Sequence, residues 1–481
     1  MSDKSSVIFG NQMSKSTIKK ANKSKKKFIK EFGDDSDKVY HLKAIPNETL
    51  DFIGVQNLVL SDEPLKLDDK AFIVGNIRMG FGHYRISIAM ASCARALGYT
   101  PYWFDLASFD ATGSKVIRKQ NDMYSLASRI SQKSKLFNKL IWEPLNSEGF
   151  KKITYNAPDQ KNAELMAPLC HDFPKDVPYV GTHVWPSQAA VHAGLTHVVN
   201  AIPDNWPMAL HLSEGAIHTV QTPFAFLGYK KLNGFAKTEL KHMPKGTLKN
   251  VGHYIDHELV ANLKEDTAKR LERAKGKQLR FLMTVGGAGA QYNLFKDMIS
   301  FLVPYLKDGR IVLFINFGDH QNVYEKLNKE IKEYDSLNTK YFDEYAEFKK
   351  FVASIDNSEL HGIYSVYHKD IFEAVYSTNL LMRFSDLLIT KPSELAFYPI
   401  PKLMIQRVGG HEAYGAIHAS EIGDGTWECR DIEAISSMIK LMLEDDDVLT
   451  ELNNNILRLN ENHTYDGGYE VVKLAVAGKI D

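Results

Sequence analysis

Apolar positions along the chain gather into short runs, each closed by glycine or proline and followed by a segment of helical spacing. The run Ala71 to Val74 reads as a buried strand, and a glycine-bearing turn, Gly75 to Gly82, follows it. His83 then opens a series of small and apolar residues, Ile86, Ile88, Ala89, Ala91, Ala94 and Leu97, that suits a helix packed closely on a sheet, with Gly98 as its stop. Strand, glycine turn and helix form the opening unit of a Rossmann-like half. There, bare backbone N–H groups and a positive helix end can meet an anion or a polar ligand. Strands are then predicted at Pro101–Leu106, Val177–His183, His197–Asp204 and Ala216–Gln221, with residues 113–145 helical. Strands alternating with helical spacers predict a parallel sheet covered on both faces, spanning residues 70–255. Ligands of such sheets bind beyond the carboxyl ends of the strands, where His83, His183 and Asp204 fall.

The same grammar restarts downstream. Lys241 to Asp256, rich in glycine, proline and lysine, reads as a linker, and residues 258–278 as a charged helix. Leu279–Val285 is a predicted strand, Gly286–Ala290 a glycine turn and Tyr292–Leu306 a helix. Further strands are predicted at Arg310–Phe317, Gly362–His368, Asp386–Pro392 and Lys402–Val408, within a second domain of residues 256–430. The charged stretch 320–360 reads as exposed helix or insertion. Residues 431–481 read as helices, with a return to the first domain open to them. The expected fold class is therefore α/β: two Rossmann-like, doubly wound domains facing across a cleft, each offering a glycine turn. A two-part ligand is the natural occupant of that layout, and hinge closure would exclude water from its reacting bond.

Charge changes the picture mainly at the amino terminus. Residues 1–69 read as a basic tail and lead-in, because Ser14 to Lys30 holds eight lysines and no acid. A solvated, partly disordered tail is one reading; a weak contact of residues 14–30 with anionic membrane lipid is the other. Over the whole chain 59 basic residues balance 59 acidic ones, so no global field points to nucleic acid. Three cysteines, far apart, exclude a disulfide scaffold, fit a reducing cytosol and show no zinc spacing. No apolar run reaches the length of a membrane span. The expected location is cytoplasmic, with peripheral contact at the inner membrane face as an extension of the lysine reading.

Six blocks, in order, carry a family resemblance: Gly80-Phe-Gly82-His83, Thr182-His183-Val-Trp-Pro186, Ala201-Ile-Pro-Asp204, Val285-Gly-Gly-Ala-Gly289, Asp386-Leu-Leu-Ile-Thr-Lys-Pro392, and Gly410-His-Glu412 with Gly423-Asp-Gly425. Together they resemble the GT-B glycosyltransferases of the family containing the lipid-linked peptidoglycan N-acetylglucosaminyltransferase and monogalactosyldiacylglycerol synthase. The resemblance covers about residues 70–430.

It implies an inverting, metal-independent transferase that moves a sugar from a nucleotide-sugar donor, a UDP-sugar by analogy, to an acceptor hydroxyl. It implies no cofactor, the nucleotide sugar being substrate, and an acceptor that is a lipid or a small molecule. His83 would be the base, an imidazole suiting that role because it titrates near neutrality, and Asp204 would orient the acceptor or the histidine. Gly80, Gly82 and His183 would lie on the acceptor side. Gly286, Gly287 and Gly289 would bring backbone N–H groups to the diphosphate, with Lys391, Glu394, His411 and Glu412 completing the donor side; a carboxylate at Glu394 can accept from both hydroxyls of a ribose. Structural roles compete: a helix N-cap for His83, a turn for Asp204, a hydrogen-bonded strand end for His183 and a helix-start acid for Glu394. The chain also departs from the family. The loop after Pro392 is about five residues short, His411 replaces a glutamine, and Gly415 replaces an asparagine expected at the sugar. An epimerase or hydrolase on the same scaffold, or a binding protein without chemistry, fits these departures too. A nicotinamide enzyme fits worse, since neither glycine turn has the full fingerprint and Asp105 matches its acid only loosely.

Overall fold

The structure is a computed structural model that describes residues 3–78, 80–133, 149–286 and 291–480. The chain divides into two compact units: unit 1 is Met1–His257 with Asp466–Asp481, and unit 2 is Glu258–Tyr465.

Unit 1 opens with a two-stranded pair at Val7–Ile8 and Asn11–Gln12, followed by helix α1 (Lys15–Phe32). Its main sheet has eight strands: β1 (His41–Pro46), β2 (Gln56–Ser61), β3 (Ala71–Asn76), β4 (Thr100–Asp105), β5 (Tyr179–Gly181), β6 (Val198–Ala201), β7 (Ile217–Val220) and β8 (Leu248–Asn250). The spatial order is β8-β7-β6-β5-β3-β4-β2-β1. Only the β1–β2 edge pair is antiparallel. Every residue of β3, β5 and β6 is buried, which is why these strands are continuous apolar runs and not alternating ones. The helices that matter for the site are α2 (Phe81–Ala96), α3 (Ile153–Ala163), α4 (Val184–His192) and α5 (Pro223–Lys231).

Three expectations for this unit need correction. The amino-terminal segment is not a solvated tail. α1 is capped by the Ser14 hydroxyl, which accepts from the Thr17 amide, and it lays Thr17, Ala21 and Phe28 along α3. Spacings of four and seven put these three on one helix face, a stripe that the lysine count concealed. Lys25 pairs with Glu164 at 2.7 Å, and other lysines of α1, such as Lys19, Lys23 and Lys27, face outward. Residues 41–61 are no lead-in either, since they supply two strands of the sheet. Finally, 241–256 is not a linker: β8 joins the sheet beside β7, and Tyr254 and Ile255 are fully packed.

Unit 2 has six parallel strands: β9 (Leu279–Thr284), β10 (Ile311–Asn316), β11 (Asn338–Phe342), β12 (Ile363–Val366), β13 (Leu387–Thr390) and β14 (Lys402–Met404). Their order is β11-β12-β10-β9-β13-β14. Helix α6 (Leu263–Ala274) precedes the sheet, α7 (Tyr292–Lys307) follows β9, and α8 (Ala413–Ile422) follows β14. The charged region 320–360 is not an insertion. It supplies the edge strand β11, flanked by helices Gln321–Glu330 and Tyr345–Ser354. An edge strand is half solvated, so its charge masked its β character. Asp386, at the amino end of β13, accepts from Arg273 Nε at 2.8 Å and from the Arg280 amide at 2.7 Å. The first residue of the Asp386–Pro392 block is thus a structural clamp on α6 and β9.

The chain then returns. Helices Ile432–Glu444 and Asp446–Glu461 stay with unit 2, whereas the last helix, α9 (Gly467–Ala477), packs on α2, β5 and β6 of unit 1. Two glycines let it in. A Cβ on Gly467 would stand 2.3 Å from the Gly252 carbonyl oxygen, and one on Gly468 would stand 2.7 Å from Cys93 Sγ. Backbone cannot give way as a side-chain tip can. Gly467→Ala is therefore expected to destabilise unit 1 by about 1–3 kcal/mol, measured by urea unfolding followed through circular dichroism.

Candidate functional site

Both sheets reverse their order at one place. In unit 1 the chain steps from β3 outward to β4, then sets β5 on the other side of β3. In unit 2 it steps from β9 to β10 and later sets β13 on the other side of β9. In open α/β sheets the crevice outside such a reversal is where ligands bind.

The unit 1 reversal is closed tightly by two strand glycines. A Cβ on Gly75 would meet the Tyr179 hydroxyl at 2.0 Å, and one on Gly181 would meet Ser187 Oγ at 2.0 Å. Gly75 thus lies within β3 as a packing residue and is not part of the turn. Tyr179, passing beneath it, donates to the Pro186 carbonyl at 3.1 Å.

His83 is the third residue of α2, and Gly80, at φ +80, is the cap residue before the helix. The imidazole does not cap its helix. Nδ1 reaches across the reversal to the Thr182 carbonyl at 2.8 Å. A carbonyl can only accept, so Nδ1 carries the proton and Nε2 of the neutral ring keeps its lone pair. Ser87 Oγ braces the arrangement, donating to the His83 carbonyl at 2.8 Å and lying 2.7 Å from Thr182 Oγ1. His183 takes the opposite tautomer. It caps α4, its Nδ1 accepting from the Trp185 amide at 3.2 Å, so its proton sits on Nε2. The two rings meet edge to face with centroids 4.8 Å apart. Burial pushes His183 well below the ordinary imidazole range, and neighbouring His83 and His211 push the same way. A half-buried imidazole and a buried one whose surroundings disfavour its charged form therefore stand side by side.

Asp204 follows β6, and its Oδ2 lies 3.1 Å from His211 Nε2. His211 is held from behind: its carbonyl accepts from Asn200 Nδ2 at 2.6 Å, and Asn200 Oδ1 accepts from Ser187 Oγ at 2.9 Å. Gly181 leaves the room that Ser187 needs. Asn76 ends β3 fully buried, and its side-chain amide has no hydrogen-bond partner among the described residues. A buried amide without a partner is costly, and at the mouth of a reversal it is a ready contact for a polar ligand. Behind His183, Asp159 of α3 is buried beside the Trp185 indole and is pushed up to about 7 by burial.

The unit 2 reversal is built on the same plan. Thr284 at the end of β9 donates to Thr390 Oγ1 at the end of β13, 3.1 Å away. Lys391 follows, and its chain lies along Gly286, where a Cβ would stand 3.2 Å from Cε. The Lys391 ammonium pairs with Glu412, whose other oxygen accepts from the Val408 and Gly409 amides at 2.7 and 3.1 Å. Burial alone would raise the Glu412 carboxyl, but Lys391, His411 and these bonds hold it below the ordinary range. His411 packs over Gly409, where a Cβ would stand 2.6 Å from its Cε1. His320, just beyond β10, hydrogen-bonds the backbone of Gly286. Glu394 starts a single 3₁₀ turn, Glu394–Phe397, half-buried, and Ser393 makes no side-chain cap there. Gly415 faces the loop that follows Lys391: a Cβ would stand 2.6 Å from the Pro392 carbonyl oxygen, so this position is a close packing contact and has no room for an asparagine.

The structure thus joins His83 with His183, and Lys391 with Gly286, His411 and Glu412. Asp204 is paired with His211. Gly82 sits in the first turn of α2, while Gly287 and Gly289 lie outside the described residues. Sequence reasoning missed Asn76, His211, His320 and Asp159. Asn76 and His320 had a signal, polar residues at or just past the end of an apolar strand; the other two had none at the level of local pattern.

The fold and these sites define a two-unit α/β chain with polar, charge-bearing clusters at the carboxyl ends of the parallel strands of two sheets. Residues 7–231 match the family profile described as "Domain of unknown function (DUF6937)", and residues 243–476 match that described as "Domain of unknown function (DUF6938)". No curated protein sequence matches the chain. Among solved structures, the chain is similar to UDP-GlcNAc 2-epimerase from Neisseria meningitidis bound to UDP-GlcNAc, with 11% identity, 84% of this chain and 98% of that one covered, and a TM-score of 0.45. It is similar to WaaG, a glycosyltransferase involved in lipopolysaccharide biosynthesis, at 12% identity, 84% and 98% coverage and a TM-score of 0.40. It is also similar to HepE of Anabaena in complex with UDP and glucose, at 12% identity, 84% and 96% coverage and a TM-score of 0.37.

Two outcomes follow from the geometry. Between the free carboxyl value of 3.8 and about 7 the folded state holds the Asp159 proton and the unfolded chain does not, so this group's support for the fold is lost as pH rises through that window. Asp159→Asn should therefore gain stability over the native chain at pH 8 relative to pH 4, by about 2–4 kcal/mol, in paired urea titrations. Gly415→Asn should lower the urea midpoint of unit 2 by displacing the 392–396 loop; an unchanged midpoint would show that the loop yields freely.

Proposed function

We propose that this chain is a nucleotide-sugar-handling enzyme, and that it acts as a glycosyltransferase with His83 as the base. One observation carries the reading: the bond from His83 Nδ1 to the Thr182 carbonyl at 2.8 Å presents Nε2 as a fixed lone pair beside a neutral His183. A hydroxyl that donates to Nε2 loses its proton there as its oxygen bonds to the sugar's anomeric carbon. The anomeric bond to the nucleotide diphosphate breaks as the new one forms, which inverts the centre. The electron pair leaves on the diphosphate. His183 Nε2–H and Asn76 are the groups that can orient the sugar or the acceptor on this side.

The leaving diphosphate belongs to unit 2 in this reading. Lys391 sits at the sheet reversal against Gly286, with α7 beginning just past the glycine turn, so a fixed cation and a helix start serve one anion. Glu412, bonded to the Val408 and Gly409 amides, holds Lys391 in place until the donor arrives. Glu394 is assigned to the ribose hydroxyls by the family resemblance. No cofactor is invoked, and the stabilising charge comes from the chain's own groups. Asp105 supports this choice over a nicotinamide enzyme: it accepts from the Tyr84 hydroxyl at 2.7 Å and from the Ala107 amide at 3.0 Å, so the acid of the second strand serves the fold.

The test is a panel of nucleotide sugars with alcohol and lipid acceptors, read as nucleoside diphosphate released. Release that depends on acceptor is expected, with His83→Asn slower by about 10²–10⁴-fold and donor affinity by calorimetry unchanged. Lys391→Met should instead weaken donor binding. Donor consumed without any acceptor would make the chain a hydrolase or epimerase; binding of no nucleotide sugar would end the proposal.

A further inference from the structure

A buried acid lies behind the histidine pair of unit 1. Asp159 of α3, 5% exposed, stands beside the Trp185 indole of α4. Trp185 in turn carries His183: the two rings meet edge to face, with centroids 4.7 Å apart and planes 68° apart. His183 repeats that contact on His83, at 4.8 Å and 84°. One run of packed side chains therefore leads from the acid to the imidazole whose tautomer the Thr182 carbonyl fixes.

The chamber between α3 and α4 is polar and only partly paired. Asn156 and Asp159 stand three residues apart on α3, and Trp185 and Gln188 three apart on α4, so each pair shares a helix face. Asn156 Nδ2 donates to the Leu212 carbonyl at 2.7 Å and Gln188 Nε2 donates to it at 2.9 Å, which brings the two carboxamides together. Their oxygens, Asn156 Oδ1 and Gln188 Oε1, have no hydrogen-bond partner among the described residues, and neither do Asp159 Oδ2, Trp185 Nε1 and Ser213 Oγ. The indole N–H lies near enough to favour the ionised acid, yet closes no bond to it. The chamber thus offers a carboxyl both acceptors and donors. A protonated carboxyl can donate and suits the amide oxygens, whereas a carboxylate only accepts and suits the indole N–H. Buried polar groups are costly without partners, so each charge state selects its own set of bonds.

Charged groups on the elements packed against α3 are engaged elsewhere. Lys25 of α1 and Lys161 of α3 both pair with Glu164 at 2.7 Å, and Lys161 also lies 3.6 Å from Asp3. His192 of α4 bonds Gln160 Oε1 at 3.2 Å, and burial takes its pKa down to about 4. His211, in the turn Ala209–His211, lies 3.1 Å from Asp204. None of these charges contributes to the Asp159 shift: burial raises it to about 7, and only the Trp185 indole opposes. The change of charge therefore falls near neutrality.

We propose that Asp159 is a proton-dependent positioning residue for His183: neutral, it bonds the carboxamide oxygens of α3 and α4; ionised, it takes the Trp185 N–H, tilts the indole and moves the imidazole resting on it. This inference concerns the rings themselves, goes beyond the nucleotide-sugar reading and is tested without any turnover assay.

The experiment is fluorine NMR of the full chain labelled with 5-fluorotryptophan, titrated between about pH 5 and pH 9. Five tryptophans give five signals; that of Trp185 is the one lost in Trp185→Phe, or the one left after replacing each of the other four with phenylalanine. The Trp185 signal is expected to move with a midpoint near 7, and Asp159→Asn, which is isosteric, should abolish the step. His83→Asn should leave the step in place, which separates it from the titration of that imidazole. In the His83→Asn chain, the Cε1 carbon signal of His183 should follow the same midpoint and lose it when Asp159→Asn is added. Circular dichroism checks that each variant folds. A Trp185 signal that does not titrate, or a step that survives Asp159→Asn, overturns the proposal. It is also overturned if Trp185 responds while His183 does not, since the acid would then act on the indole alone.

Discussion

The site in unit 1 depends on one hydrogen bond, from His83 on α2 to the Thr182 carbonyl at the end of β5. It crosses the place where strand order reverses, so it ties the helix leaving β3 to the strand laid down on the other side. It also decides chemistry. A histidine in water divides its proton between two nitrogens; here the carbonyl claims Nδ1 and leaves Nε2 basic. Ser87 and Thr182 lock the same junction from within. The imidazole is thereby held in place by backbone.

That junction needs space, and the sheet supplies it through missing side chains. Gly75 leaves room for the Tyr179 hydroxyl, and Gly181 leaves room for Ser187. Ser187 then fixes Asn200, Asn200 fixes the carbonyl of His211, and His211 meets Asp204. Each link is a buried polar group satisfied by the next, so the order of the site passes through the packing beneath it. Unit 2 reaches a comparable result with different residues: Gly286 leaves room for Lys391, and Glu412, fed by two amides, pins the ammonium.

The burial of charge near these clusters has its own logic. His183 is kept neutral because burial and neighbouring imidazoles both oppose a proton. Asp159 is pushed the other way by the same burial and keeps its proton longer. Both shifts favour the uncharged form, as expected where water is excluded and no opposite charge outweighs the burial. Glu412 lies just as deep and stays ionised, because Lys391 provides that counter-ion.

Read alone, the chain discloses its repeated strand-turn-helix grammar, since fully buried parallel strands must be apolar throughout and their turns must be glycine-rich. Ten of the strands fall where periodicity places them, five in each half. His83 and His183 were legible as candidates because strand ends in such folds face ligand, and Lys391 and Glu412 through the family resemblance. The edge strand β11 and the helix α1 were not, because charge on a solvated face hides the apolar stripe beneath it. His211 and Asp159 carry no local signature; they matter only through neighbours remote in sequence. The tautomer of His83, the partner of Asp204, the return of α9 to unit 1 and the role of Gly415 as a packing contact were all decided by tertiary structure. The physical reason is the same for each: periodicity records which side of an element is buried, whereas hydrogen-bond partners and steric limits depend on what the fold brings to that side.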